Sequence, residues 1–157
     1  MIEAKKLSRF YGDLKAVDEI SFEVKKGEVL GFLGPNGAGK STSMKMLTCF
    51  LTPSSGTAVV AGKDILENPK AVREKVGYLP ENAPLYGEME VASFLRFVAE
   101  IRDLEIQKSV SRVLDLCGLN EVSSSRIENL SKGFKRRVGL AQALIHDPEI
   151  LILDEPT

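Results

Sequence analysis

The run Gly34-Pro35-Asn36-Gly37-Ala38-Gly39-Lys40-Ser41 fits the spacing G-x-x-x-x-G-K-[ST]. Its glycines reach backbone angles closed to other residues, so successive N–H groups can turn inward and cradle phosphate oxygens at a helix N-terminus. Lys40 adds a positive charge for the β- and γ-phosphates, and the Ser41 hydroxyl is a small neutral oxygen suited to Mg²⁺. Thr42, the next residue, counts with the loop as a further contact. These residues predict a site for a nucleoside triphosphate. The bland rival is a glycine-rich turn that carries Lys and Ser by accident.

A second constellation is Ile150-Leu151-Ile152-Leu153-Asp154-Glu155, an apolar strand that ends in two adjacent carboxylates. Ligands of open α/β sheets sit at such strand ends. Side chains alternate along an extended chain, so Asp154 can hold Mg²⁺ through its water shell while Glu155, on the other side, polarises an attacking water. Lys40 and Glu155 are therefore the expected catalytic residues, and Ser41 and Asp154 the expected metal contacts. Asp-Glu-Pro alone is ordinary turn chemistry. It is the phosphate loop upstream that favours hydrolysis.

Such groups need a strand before the loop and a helix after it. Residues 29–33, Val-Leu-Gly-Phe-Leu, predict a buried strand, and residues 41–50 predict a helix that stops before Pro53. Residues 2–24 alternate apolar and polar positions and break at Tyr11-Gly12-Asp13, the pattern of antiparallel strands around a turn. Short strands are expected over 57–61 and 76–79, with a helix over 69–75 between them. From Glu88 the period changes: Val91, Phe94, Leu95, Val98 and Ile101 share one helical face, and Val110, Val113, Leu114 and Cys117 repeat it before Gly118, a C-terminal cap. A further helix over 130–145 leads into a fully buried strand at 150–153.

The chain has 157 residues, 43% of them apolar, enough for the core of one domain, and no linker or repeat divides it. Its 21 basic residues nearly cancel 22 acidic ones, so no whole-chain field draws it to nucleic acid or an anionic membrane. No nucleic-acid partner is expected. The apolar runs fall far short of the roughly 20 residues of a spanning helix, and the first residues lack the pattern of a secretory signal. A cytoplasmic location is predicted. Cys49 and Cys117 lack CxxC spacing and are expected as small buried residues in a reducing compartment.

With Leu130-Ser131-Lys132-Gly133-Phe134 added, the pattern resembles the nucleotide-binding domains of ABC transporters over almost the whole chain. By that resemblance residues 34–41 are the Walker A loop, residues 150–155 are Walker B, and the Leu130 stretch is the signature usually written LSGGQ. The implied ligands are ATP and Mg²⁺. The implied fold is α/β, a P-loop NTPase core with an N-terminal antiparallel β subdomain and a helical subdomain. Its expected parts are 1–83 (β subdomain and Walker A core), 84–135 (helical subdomain) and 136–157 (signature helix and Walker B strand). The family continues with a D-loop, more sheet and a switch histidine, so the sequence is expected to be an N-terminal piece that hydrolyses ATP poorly by itself. His146, the sole histidine, precedes the carboxylate pair and does not match the switch position. A solvated helix end is expected for it.

The resemblance also assigns roles. Ser131 and Gly133 inherit contact with the γ-phosphate bound by an opposing subunit, which implies a homodimer or heterodimer of such domains. Ser131 is in addition a good N-cap for a helix beginning near Lys132. Tyr11 falls where the family stacks an aromatic on adenine, a core tyrosine being the rival. Val76-Gly77-Tyr78-Leu79-Pro80-Glu81 resembles the Q-loop region with Glu81 in place of the usual glutamine. Its carboxylate can still offer an oxygen to Mg²⁺ or its water. Lys132 stands where the signature has a glycine, and Phe134 and Lys135 depart in its closing region. Glu81, the lysine-bearing signature and Pro84-Leu85-Tyr86 resemble the export-type branch, which includes drug exporters and gliding-motility transporters. The function so implied is ATP hydrolysis that powers a transmembrane permease, with the chain held at the inner face of the membrane through it. The alternative is a soluble ABC ATPase of translation or DNA repair. A P-loop kinase or GTPase would need an acceptor site or a guanine-reading motif, and the sequence has neither.

Overall fold

The computed structural model describes residues 1–154. They form two compact units, 1–76 and 77 onward.

In the first unit, β1 (Ile2–Tyr11) and β2 (Leu14–Val24) make the expected hairpin, paired from Ile2 opposite Val24 to Tyr11 opposite Leu14. β3 (Ser55–Val60) pairs antiparallel with β1, and the short β4 (Lys63–Asp64) pairs with β3, giving the order β2-β1-β3-β4. Ala61 and Gly62 link β3 to β4 with φ of +50° and +75°. Positive φ at both central residues twists a two-residue loop in the sense the strands require. The β1–β2 register slips between Ala4 and Leu7, and Lys6 and Glu19 there have φ of +47° and +46°. The buried Ser8 hydroxyl accepts from Glu19 N–H (2.8 Å) and donates to Lys6 O (3.2 Å), so the irregularity keeps its polar groups paired.

α1 (Lys40–Leu47) and α2 (Pro69–Lys75) complete this unit. α1 stops short of the expected Phe50 because Cys49 turns to φ +56° and closes a Schellman cap, Phe50 N–H donating to Lys45 O at 2.8 Å and Cys49 N–H to Met46 O at 3.1 Å. Leu7, Ala58, Val60, Met46, Leu47 and Val72 are each at most 2% exposed and form the inside. The strand expected over 29–33 does not form: Val29 is 98% and Leu33 96% exposed, and no described strand pairs with the segment. An apolar run supplies side chains for burial, but a strand exists only where a neighbour takes up its N–H and C=O groups. Phe32 packs edge-on against Phe22, the ring centroids 5.2 Å apart.

In the second unit, β5 (Val76–Leu79) pairs with β6 (Ile150–Leu153), and α3 (Val91–Ile101), α4 (Ile106–Leu116) and α5 (Lys132–Leu144) pack around Phe94, Leu95, Val113, Leu119 and Ile127. Two expectations need correction. β6 is not fully buried, since it has one neighbour among the described strands and Leu151 stays 41% exposed. Ile101 closes α3 at 68% exposure, off the face on which Val91, Phe94, Leu95 and Val98 are buried. α4 ends as expected at Gly118 (φ +62°): Leu119 N–H donates to Leu114 O (2.8 Å) and Gly118 N–H to Asp115 O (3.2 Å), the two bonds of a Schellman cap. Arg112 of α4 closes the far end of α5, donating to Leu144 O at 2.7 Å and pairing with Asp147 at 3.3 Å. His146, just past that end, is half-buried rather than solvated. Among the described residues, no helix is long and apolar enough to cross a membrane.

Gly56, the second residue of β3, has φ +72°, and a Cβ there would collide with the Lys6 carbonyl oxygen. Gly56→Ala is expected to cost at least about 2 kcal/mol, adding a clash to the usual left-handed penalty. Urea unfolding of the two proteins measures it. Equal midpoints would contradict the close approach of β3 to the β1 bulge.

Candidate functional site

The glycine loop meets the hairpin through backbone. Gly39 is the N-cap of α1 at φ +82°, and a Cβ on it would strike Ala16 O and lie 2.9 Å from Val17 Cγ2. Gly37 shares the φ of +82° with open space around it, so its requirement is conformational. A glycine N-cap has no side-chain oxygen, and no side-chain cap bond forms, so the first turn keeps its donor character and the positive end of the helix dipole. Lys40 curls back over the loop and donates to Gly34 O (2.6 Å) and Pro35 O (2.9 Å). An ammonium has three donors, so this brace leaves one more. Ser41 and Thr42 are half-buried in the same first turn, and Ala38 N–H donates to Pro35 O at 3.2 Å, closing the loop on itself.

Tyr11 is 47% exposed at the end of β1, which rules out the core-tyrosine alternative. The guanidinium of Arg9 lies 4.7 Å from its ring centroid.

In the second unit, Ser131 is the N-cap of α5 and its Oγ accepts from Phe134 N–H at 3.3 Å, as its residue type predicts. Ser131, Lys132 and Gly133 are exposed. Phe134 carries Arg137 over its ring at 5.2 Å, and Lys135 donates to Glu128 O at 2.8 Å, so the residues that depart from the common signature make local contacts of their own. Asp154, at the end of β6, is 3% exposed, and its N–H donates to Leu79 O at 2.9 Å. Glu81 is exposed. Glu155 lies outside the described residues. No cluster of three or more His, Cys, Asp or Glu side chains occurs among the described ones.

Two residues escape a sequence reading. Arg136 of α5 donates from one guanidinium to Glu81 O (3.0 Å) and Asp154 O (3.2 Å), tying the loop after β5 to the end of β6. In sequence it is one cation in the run Lys135-Arg136-Arg137, which looks like a solvated face. The Tyr78 hydroxyl is buried and has no hydrogen-bond partner among the described residues. Burial, and secondarily the Asp154 charge, push its pKa up to about 12.

Residues 17–157 match the ABC transporter family. The chain belongs to that family. Its relatives include a probable multidrug ABC transporter ATP-binding protein of Escherichia coli, 44% identical over all of this chain and 28% of the relative. A bacitracin transport ATP-binding protein of Bacillus licheniformis is 36% identical over all of this chain and 51% of its own length. The chain thus spans between about a quarter and about half of these ABC proteins. A solved ATP-binding subunit of an ABC transporter superposes with a TM-score of 0.87 at 31% identity, covering 99% of this chain and 66% of the other. The α/β ABC ATPase fold expected from the sequence is therefore the fold observed.

A hydroxyl buried without a partner costs about 1–3 kcal/mol, so Tyr78→Phe is expected to raise stability by about 1 kcal/mol at neutral pH. The fold favours the neutral phenol. Its contribution is complete below the free tyrosine value of 10 and is lost as pH rises through about 12. The stability difference between Tyr78→Phe and wild type should therefore widen from pH 10 to 12 in urea titrations. A constant difference would contradict the buried phenol.

Proposed function

We propose that this chain binds and hydrolyses ATP and that, in the full-length protein, this drives export of a substrate through a partner membrane permease. The loop at 34–41 carries the proposal: two left-handed glycines, an α1 N-terminus without a side-chain cap, and the Lys40 ammonium converge on one short segment. That combination suits a triphosphate, whose oxygens accept from N–H groups and whose charge is met by the lysine and the helix dipole. Mg²⁺ is held chiefly by phosphate oxygens and water and needs only one or two protein oxygens; the Ser41 hydroxyl and the Asp154 carboxylate are each a group of the type it takes. When bound it neutralises charge on the β- and γ-phosphates. Glu81 offers a further exposed carboxylate for the metal or its water.

In this reading Lys40 steadies the γ-phosphate, Tyr11 stacks on adenine, and Glu155 accepts a proton from the attacking water. Ser131 and Gly133, exposed at the N-terminus of α5, offer a hydroxyl and backbone N–H groups to the nucleotide of a second such domain, so the working unit is a dimer. Export is favoured by relatives whose names specify multidrug transport, bacitracin transport and linearmycin resistance. The permease then places the chain at the inner face of the membrane.

Lys40→Ala in the full-length protein is expected to weaken ATP binding about 10- to 100-fold, the loss of a charged hydrogen-bond donor. Glu155→Gln is expected to keep ATP binding and lose turnover. Fluorescent-nucleotide titration and phosphate release measure the two. Turnover at the wild-type rate in Glu155→Gln would remove that residue from the chemistry, and copurification of a ribosome or DNA in place of a multispanning permease would overturn the transport role.

A further inference from the structure

Tyr11 sits at the exposed end of β1, where nothing in its own strand pairing fixes the ring. Two residues earlier, on the same face of the strand, Arg9 reaches across it. The Arg9 Nη1 donates to Thr52 O at 2.8 Å, in the segment between α1 and β3. Its Nε is buried and takes no hydrogen-bond partner among the described residues, so the planar head is held by the Thr52 bond and by the tyrosine face, 4.7 Å from its centroid. Next to it, Phe10 N–H donates to the Ser54 hydroxyl at 3.0 Å, so the strand end is fixed to the same segment through its backbone. The result is a flat group anchored at one end and laid on the back of an exposed aromatic ring.

We propose that Arg9 is a positioning residue for the purine base: it backs one face of Tyr11 and leaves the other as a preset platform for adenine. The inference rests on Tyr11 serving as the adenine contact, and deepens that reading. A guanidinium stacks on an aromatic face and accepts a planar base–ring–cation layering, which an ammonium on a flexible stem does not reproduce. Holding the ring in one orientation before the nucleotide arrives removes ordering from the binding step. The gain must appear only for ligands that carry a base, because the triphosphate is held elsewhere in the unit, by residues 34–41.

The test compares ATP with inorganic tripolyphosphate by calorimetric titration of the full-length protein, in wild type, Arg9→Ala, Arg9→Lys, Tyr11→Ala and the double variant Arg9→Ala/Tyr11→Ala. Arg9→Ala and Arg9→Lys are expected to weaken ATP binding about 3- to 10-fold and leave tripolyphosphate unchanged. In the Tyr11→Ala background, Arg9→Ala should have no further effect. Unchanged ATP affinity in both Arg9 variants overturns the inference, and so does equal weakening of both ligands, which would mark a structural role. Wild type that binds ATP no more tightly than tripolyphosphate would overturn the adenine role of Tyr11 and this inference with it, while a protein that binds neither would defeat the nucleotide reading as a whole.

Discussion

Gly39 lies so close to β2 that its backbone rests against the Ala16 carbonyl oxygen, where no side chain fits. The contact joins the loop to the hairpin through main chain alone, and it does so at the residue that starts α1. A left-handed N-cap sets the direction in which the helix leaves the loop, so Lys40, Ser41 and Thr42 inherit their positions from this one residue. At the other end of α1, Met46 and Leu47 are buried and hold the helix down by apolar area. One end is thus positioned by sterics and the other by burial. The end proposed to hold the nucleotide is the one that the hydrophobic effect, which is non-directional, could not have placed.

The second unit uses the same device. A Cβ on Gly77 of β5 would strike Ala143 O and lie 2.9 Å from Pro148 Cγ, and one on Gly139 of α5 would lie 2.9 Å from Leu79 Cδ1. Strand and helix therefore approach at two glycines, one on each element. The approach brings Arg136 within reach of Glu81 O and Asp154 O. The planar fork of Arg136 serves both carbonyls from one fixed plane, one through Nη1 and the other through Nη2. The backbones at Glu81 and Asp154, the residues expected to face metal, are thereby tied to one side chain.

What a sequence reveals here depends on how local the cause is. The hairpin, α2, α4 with its Gly118 cap, and the Ser131 cap follow from periodicity and from bonds between residues a few positions apart. The loop at 34–41 is legible for the same reason, since its glycine angles and lysine brace span only seven positions. The segment 29–33 misleads because an apolar composition is local while a ladder partner is not. Arg9, Arg136 and the Tyr78 hydroxyl are invisible in the sequence: the partners of the two arginines are 43, 55 and 18 positions away, and the hydroxyl has none among the described residues.

The stretch that departs from the common signature shows which of its positions the fold itself dictates. The cap of α5 needs an oxygen at 131 and an N–H at 134, and any residue but proline supplies the second. Lys132 and Phe134 can therefore vary without disturbing the helix start. Gly133 is different. A Cβ there would meet only Ser131 Oγ, at 3.9 Å, and its φ is not positive, so neither space nor backbone angle demands glycine. The proposed contact with a phosphate oxygen, a group that must come close to the backbone of an exposed helix N-terminus, would account for the glycine.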